Sequence, residues 1–286
     1  MKKRSLALPS SVRFTVAAFG ACLSLVATFP RAGAEKPNII FILTDDLGYG
    51  DVGVLFQKQR EGVQVQTPEL DEMAGAGTIL NRHYCPAPIC APSRASLITG
   101  MHQGHTNVRN MQFDKAIEDN WNFANTLQKV GYHTIHLGKY GLQGWGHDPE
   151  KWAGYPTKRG FDYFYGYVRH VDGHQHYPAN EWALGDNRSH QGKKQVWENN
   201  EEVSAGLDKC YTTDLWTAKA KQLIISETKE NPGRPFFMFL SYDTPHAALQ
   251  LPTVAYPVGK GVKGGIQWLG KPCLLYTSDA ADDCRC

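Results

Sequence analysis

The sequence predicts an α/β protein built on a mostly parallel sheet sandwiched by helices. Two observations carry this: short β-rich apolar runs alternate with amphipathic segments of helical length, and the chemically rich residues follow the runs. Asn38 to Thr44 is a continuous apolar run of the kind expected for a strand buried on both faces. Thr67-Pro68 opens a helix with N-cap and N1 chemistry, Leu70, Met73 and Ala74 share one face, and Gly75 and Gly77 end it. A second helix runs through Phe123, Leu127 and Val130 to a stop at Gly131, and Tyr132 to Leu137 follows as a strand. Tyr211 to Glu230 is a long amphipathic helix with Leu215, Ala218 and Leu223 on its apolar face, closed by Asn231-Pro232-Gly233. Pro235 to Tyr242 returns as a strand. Asp45-Asp46, Gly138-Lys139 and Asp243-Thr-Pro-His246 then follow three strands, at the carboxyl edge where open α/β sheets bind ligands.

Neither end of the chain is expected to contribute to this fold. Lys2, Lys3 and Arg4 precede an apolar run from Phe14 to Phe29 and the small residues Ala32-Gly33-Ala34, so residues 1–34 read as a secretory signal peptide. The run is too short to span a membrane, and no membrane association is expected after cleavage; the mature chain is expected to be periplasmic or secreted. At the other end, Cys273 to Asp283 matches the translation of a transposase-type sequencing adapter, so residues 273–286 are expected to be an artefactual tail. Residues 35–272 then form one domain or a large part of one, long enough to bury a sizeable core. The formal charge of +2 over 286 residues draws on both ends; without them 24 basic face 25 acidic residues, which leaves no basic field for nucleic acid. Of seven cysteines only Cys85, Cys90 and Cys210 remain, too few for a disulfide framework, although Cys85 and Cys210 could pair if the fold brings them together.

The most specific feature is Cys90-Ala-Pro-Ser-Arg-Ala-Ser-Leu-Ile-Thr99, closed by Gly100. Pro92 suits the first turn of a helix, so Cys90 is expected at the helix N-terminus, where backbone N–H groups favour an anion. A buried structural cysteine before an ordinary helix is the plain alternative. The segment carries the C-x-P-S-R-x-x-x-T-G pattern and resembles the sulfatases, whose fold is similar to that of alkaline phosphatase. The resemblance implies an N-terminal portion of such a fold, with the cysteine oxidised to formylglycine by a maturation enzyme. One hydroxyl of the hydrated aldehyde would attack the sulfur of a sulfate ester, and loss of the other's proton would later expel sulfate.

The same resemblance implies the remaining roles. Asp45 and Asp46, by themselves compatible with a solvated turn, match the family's first metal-ligand pair, which with Cys90 would hold one divalent cation, calcium. Arg94 would neutralise the hydrate and sulfate oxygens, Lys139 in Gly-Lys-Tyr-Gly-Leu would grip a sulfate oxygen, and His246 in Thr-Pro-His-Ala would protonate the leaving alcohol. Gly141 stands where many sulfatases have His, so a proton-handling group must come from elsewhere. The distal Asp-Asn ligand pair is expected downstream of Pro272, since Tyr276-Thr-Ser-Asp279 imitates its start but continues with Ala280.

Arg169-His170-Val-Asp-Gly-His174-Gln-His176 is an unusual histidine cluster that reads as a loop lining the substrate pocket, an exposed loop, or a second metal site. Trp145, Trp152, Tyr163, Phe164, Tyr165 and Tyr167 nearby suit either sugar rings or a core. The expected substrate is a sulfated small molecule or glycan; a phosphoester or phosphonate hydrolase, a sulfated-glycan binder and an inactive fragment are the alternatives.

Overall fold

The structure, a computed structural model, describes residues 36–62, 64–178, 194–205, 207 and 210–246. Residues 1–34 and 273–286, read above as a signal peptide and an artefactual tail, lie outside them, Cys273 and Asp279 included. The described residues from Pro37 onward belong to one compact unit. Its strands are β1 (Ile39–Asp45), β2 (His133–Gly138), β3 (Tyr163–Tyr167), β4 (Val196–Glu198), β5 (Glu201–Glu202) and β6 (Phe236–Pro245). The helices are α1 (Pro68–Ala76), α2 (Cys90–Thr99), α3 (Phe123–Lys129) and α4 (Thr212–Glu230), joined by loops with short 3₁₀ turns. The sheet order is β1-β6-β2-β3-β4-β5; the first four strands are parallel, β4 runs antiparallel to β3, and β5 antiparallel to β4.

Period-two alternation along the central strand β6 builds two cores. Phe237 and Phe239 face α2 and α3, packing with Ala91, Ala95 and Ile98. Met238 and Leu240 face the opposite layer with Ile135 and Leu137 of β2 and with Leu215 and Trp216 of α4. Helices therefore cover both faces, as the sequence predicts. Asn122 caps α3 by accepting from the Asn125 amide at 3.0 Å, and Gly100 ends α2 at φ 65°.

Among the described residues β1 stands at the edge of the sheet, pairing only with β6, and Ile40, Phe41 and Ile42 stay 39–55% exposed. The apolar face of α1 is not buried either, with Met73 62% exposed. That helix is fastened through its polar side, where Asp71 accepts from the Val54 amide at 2.7 Å and meets Lys58 at 2.9 Å. Trp152, Phe164, Tyr165 and Tyr167 belong to the cores, with β3 carrying the last three, while Trp145 stays exposed. No disulfide joins Cys85, which is exposed, to Cys210, which sits in the core under α4.

Gly138 fixes the spacing at the centre of the sheet. Its φ is +91°, and a Cβ there would fall 2.0 Å from the Ser241 carbonyl oxygen of β6. Only glycine lets β2 approach β6 this closely. The Lys139 amide then donates to that same carbonyl at 2.8 Å, so Lys139 leaves the strand at a fixed point.

Candidate active site

The carboxyl ends of β1, β6 and β2 are adjacent, with Asp45 in register with Pro245 and Gly138 with Ser241. Asp45 ends β1, Lys139 follows β2 and His246 follows β6, so residues distant in sequence meet at one edge. β6 extends three residues beyond its predicted end, which places Asp243 inside the strand. Asp243 is structural: it accepts from Thr212 Oγ1 at 2.8 Å and from Trp216 Nε1 at 3.0 Å, tying α4 to the sheet.

Cys90 is the first residue of α2, with Ile89 as the extended N-cap, and Pro92 sits in the first turn where its missing N–H costs nothing. A cavity of about 300 Å³ opens in front of it, lined by Asp45, Asp46, Cys85, Cys90, Ser93 and Arg94 among others. Burial pushes the Cys90 thiol up, so it is not an activated thiolate.

Lys139 is fully buried, and its Nζ donates to Asp45 Oδ2 at 2.6 Å. Arg94, one helical turn beyond Cys90, places Nη2 3.2 Å from Asp45 Oδ1 and donates through Nη1 to the Lys139 carbonyl at 2.7 Å and to the Ser241 hydroxyl. The arginine thus locks the ends of β1, β2 and β6 together. Burial alone would raise the Asp45 pKa, but the Lys139 and Arg94 charges outweigh it and hold the carboxyl well below the usual range.

Asp46 lies just outside this network in the left-handed region, at φ 64°. Burial, then the adjacent Asp45 charge, push it up to about 6. His246 Nε2 lies 3.6 Å from Asp46 Oδ2, and its ring stacks on His174 with centroids 4.5 Å apart.

The histidine cluster, ambiguous in the sequence, is neither an exposed loop nor remote from this edge. His170, His174 and His176 are all buried. His170 Nε2 is 3.1 Å from Cys90 Sγ, and His176 Nε2 is 2.9 Å from the His246 carbonyl oxygen. Cys90, His170 and His174 bring three donor atoms within 4.8 Å of one another, the one such grouping of three among the described residues. Burial, with Lys139 nearby, pushes the His170 pKa well down, so its imidazole is neutral. The sequence signals the cluster by histidine density but not its pairing with Cys90, which depends on a contact across 80 positions.

The fold is thus an α/β sheet whose carboxyl edge gathers the Lys139 and Arg94 charges, the Asp45-Asp46 pair and the N-terminus of α2, an arrangement suited to an anion. Residues 37–264 match the Sulfatase family model, and the chain belongs to the sulfatase family. It is 32% identical over 227 residues to mouse (Mus musculus) arylsulfatase J, a match covering 77% of this chain and 34% of that protein. It is 30% identical to human (Homo sapiens) arylsulfatase G, covering 83% and 47% respectively. Among solved structures, Ps i-CgsB in complex with k-i-k-neocarrahexaose matches with a TM-score of 0.58 at 30% identity, over 76% of this chain and 47% of that one. The matched region thus spans less than half the length of these relatives.

Proposed function

We propose that the protein hydrolyses sulfate esters, with formylglycine derived from Cys90 as the nucleophile and one divalent cation, calcium, held in part by Asp45, Asp46 and the modified residue 90. The observation that carries this reading is the convergence of Cys90, Asp45, Asp46, Arg94, Lys139 and His246 at one sheet edge, inside a chain of sulfatase kinship. Cys90 Sγ stands in for an oxygen carried on the same Cβ after conversion.

The donor chemistry fits a hard cation. Two neighbouring carboxylates meet at a strand end, and Asp46 is pushed up to about 6 by burial and by Asp45, a disfavoured charge that a cation would relieve. When bound, the cation supplies positive charge for the sulfate oxygens and lowers the cost of gathering anions there.

Lys139 and Arg94 form the cationic floor of the site. Lys139 can donate to a sulfate oxygen while it remains beside Asp45, since an ammonium has three N–H donors. The Arg94 side chain is committed to Asp45, Lys139 and Ser241, so its contribution to the sulfate is its fixed charge. His246 is the acid for the leaving alcohol, held over Asp46 by its stack on His174 and by the His176 contact to its carbonyl.

Sulfated carbohydrates or aryl sulfates are the proposed substrates, in keeping with relatives named arylsulfatase and N-acetylgalactosamine-6-sulfatase. Maturation by a formylglycine-generating enzyme and export to the periplasm or medium complete the proposal. Among the described residues no helix is long and apolar enough to cross a membrane.

The test is turnover of the sulfate and phosphate esters of one phenol by the full-length gene product, co-expressed with a formylglycine-generating enzyme. Preferential sulfate hydrolysis is expected. Preferential phosphate hydrolysis would replace the reading with a phosphoesterase, and binding of sulfated glycan without turnover would replace it with a lectin-like role.

A further inference from the structure

Gly141 and His170 cannot both carry side chains into the same space. Gly141 has φ +77°, and a Cβ built on it would lie 2.6 Å from His170 Nδ1 and 3.2 Å from His170 Cγ. The two segments are also stitched together, because the Gly141 amide donates to the Val168 carbonyl at 2.9 Å. A second glycine repeats the pattern: a Cβ at Gly173 would fall 2.5 Å from Lys139 Cδ. Bare backbone at 141 and 173 therefore lets the histidine-bearing segment close directly onto Lys139 and Cys90.

That segment is anchored on Asp114 and between two rings. The His170 amide donates to Asp114 Oδ1 at 2.7 Å, and Arg169 Nε lies 3.3 Å from Asp114 Oδ2. The imidazole is fully buried and sits between Phe113, at a centroid distance of 5.0 Å, and His174, at 5.1 Å. What this packing fixes is the aim of Nε2, which points at Cys90 Sγ from 3.1 Å. An unmodified thiol is a weak hydrogen-bond partner; an oxygen on the same Cβ is a strong one.

We propose that His170 is a catalytic residue, the proton acceptor for the nucleophile at position 90, admitted to that place by the absence of a side chain at Gly141. The proposal deepens the sulfatase reading and rests on it. In the second half of the reaction the sulfated hydrate collapses. The O–H bond of its remaining hydroxyl breaks with the proton passing to His170 Nε2, and the released electron pair forms the C=O bond. The C–O bond to sulfate breaks, and its electron pair leaves on sulfate. Return of the proton to solvent and addition of water to the aldehyde restore the starting hydrate.

The experiment compares parent, H170Q, H170G and the exchange protein G141H/H170G, all as full-length gene products matured in the same way, with kcat normalised to formylglycine content by peptide mass spectrometry. Histidine is among the residues that tolerate the left-handed region, and removing the ring at 170 opens room for one at 141. The expected result is a loss of kcat of about 10²–10⁴-fold in H170Q and H170G, with KM changed only a few-fold. Recovery of about tenfold or more in G141H/H170G relative to H170G is expected, and would show that the position of the imidazole matters and not its contribution to packing. H170Q with parental kcat overturns the proposal, as does a loss confined to KM. An exchange protein that folds, carries formylglycine and stays at the H170G level also overturns it. A matured parent that fails to hydrolyse any aryl sulfate overturns the sulfatase reading itself, and this proposal with it.

Discussion

Replacing Lys139 by Met keeps the length of the side chain and removes only its charge and donors. Lys139 is fully buried and its Nζ lies 2.6 Å from an Asp45 carboxylate that is itself buried. Breaking a buried pair by removing one partner costs about 3–5 kcal/mol. Arg94 stays 3.2 Å from the other Asp45 oxygen, so the low end, about 3 kcal/mol, is the expected loss. At about 2–4 °C per kcal/mol for a domain of this size, the Tm should fall by about 6–12 °C.

The loss has a defined pH signature. Asp45 has a depressed pKa in the fold, so its contribution is present above the unfolded carboxylate value of 3.8 and is lost as pH falls below it toward the folded value. Lys139→Met weakens that depression, so the variant and parent should differ most near neutrality and converge in acid. Aryl sulfatase turnover should fall by about 10²–10³-fold, the range for losing one preorganised oxyanion donor. Thermal unfolding across pH and steady-state kinetics check both. A variant with parental Tm and parental kcat would refute the assignment of Lys139 to the floor of the site.

Two further outcomes follow from the same geometry. Chelation and Asp46→Ala should each reduce turnover by orders of magnitude, with added calcium restoring the chelated parent but not the variant; undiminished turnover after verified metal removal contradicts the cation assignment. Asp172 is buried and pushed up to about 7, mainly by burial, with Arg169 and Lys194 opposing the shift. A raised carboxylate pKa makes ionisation unfavourable in the fold, so stability should decline as pH rises from about 4 to 7, and Asp172→Asn should flatten that slope in unfolding measurements.

The alternation of strands and helices was legible because β2, β6 and α4 announce themselves by local pattern, and their ends fall within a few residues of the expected positions. β3 was not, since Tyr163 to Tyr167 is an aromatic run without alternation in hydropathy, and only the sheet reveals that Phe164 and Tyr165 face different cores. That β1 has one partner among the described strands was hidden for a similar reason. An apolar run reports strand propensity but not how many neighbours the strand has. At the site, Cys90 and Arg94 were visible through their spacing, and Asp45, Lys139 and His246 through their place after strands. The aim of His170 was not visible, because it depends on a glycine 29 positions earlier whose bare backbone makes room for the ring. Asp243 illustrates the converse: a polar residue expected beyond a strand end lies within it and serves α4.

The central claim is that residue 90 acts as an aldehyde and not as a thiol. Its most direct test is the mass of the proteolytic peptide containing position 90, taken from full-length protein whose aryl sulfatase activity has been measured in the same preparation. The account predicts the mass of a cysteine-to-formylglycine conversion, specific activity proportional to the converted fraction, and no turnover in Cys90→Ala. Full activity in a preparation whose position 90 is entirely unmodified cysteine would contradict it.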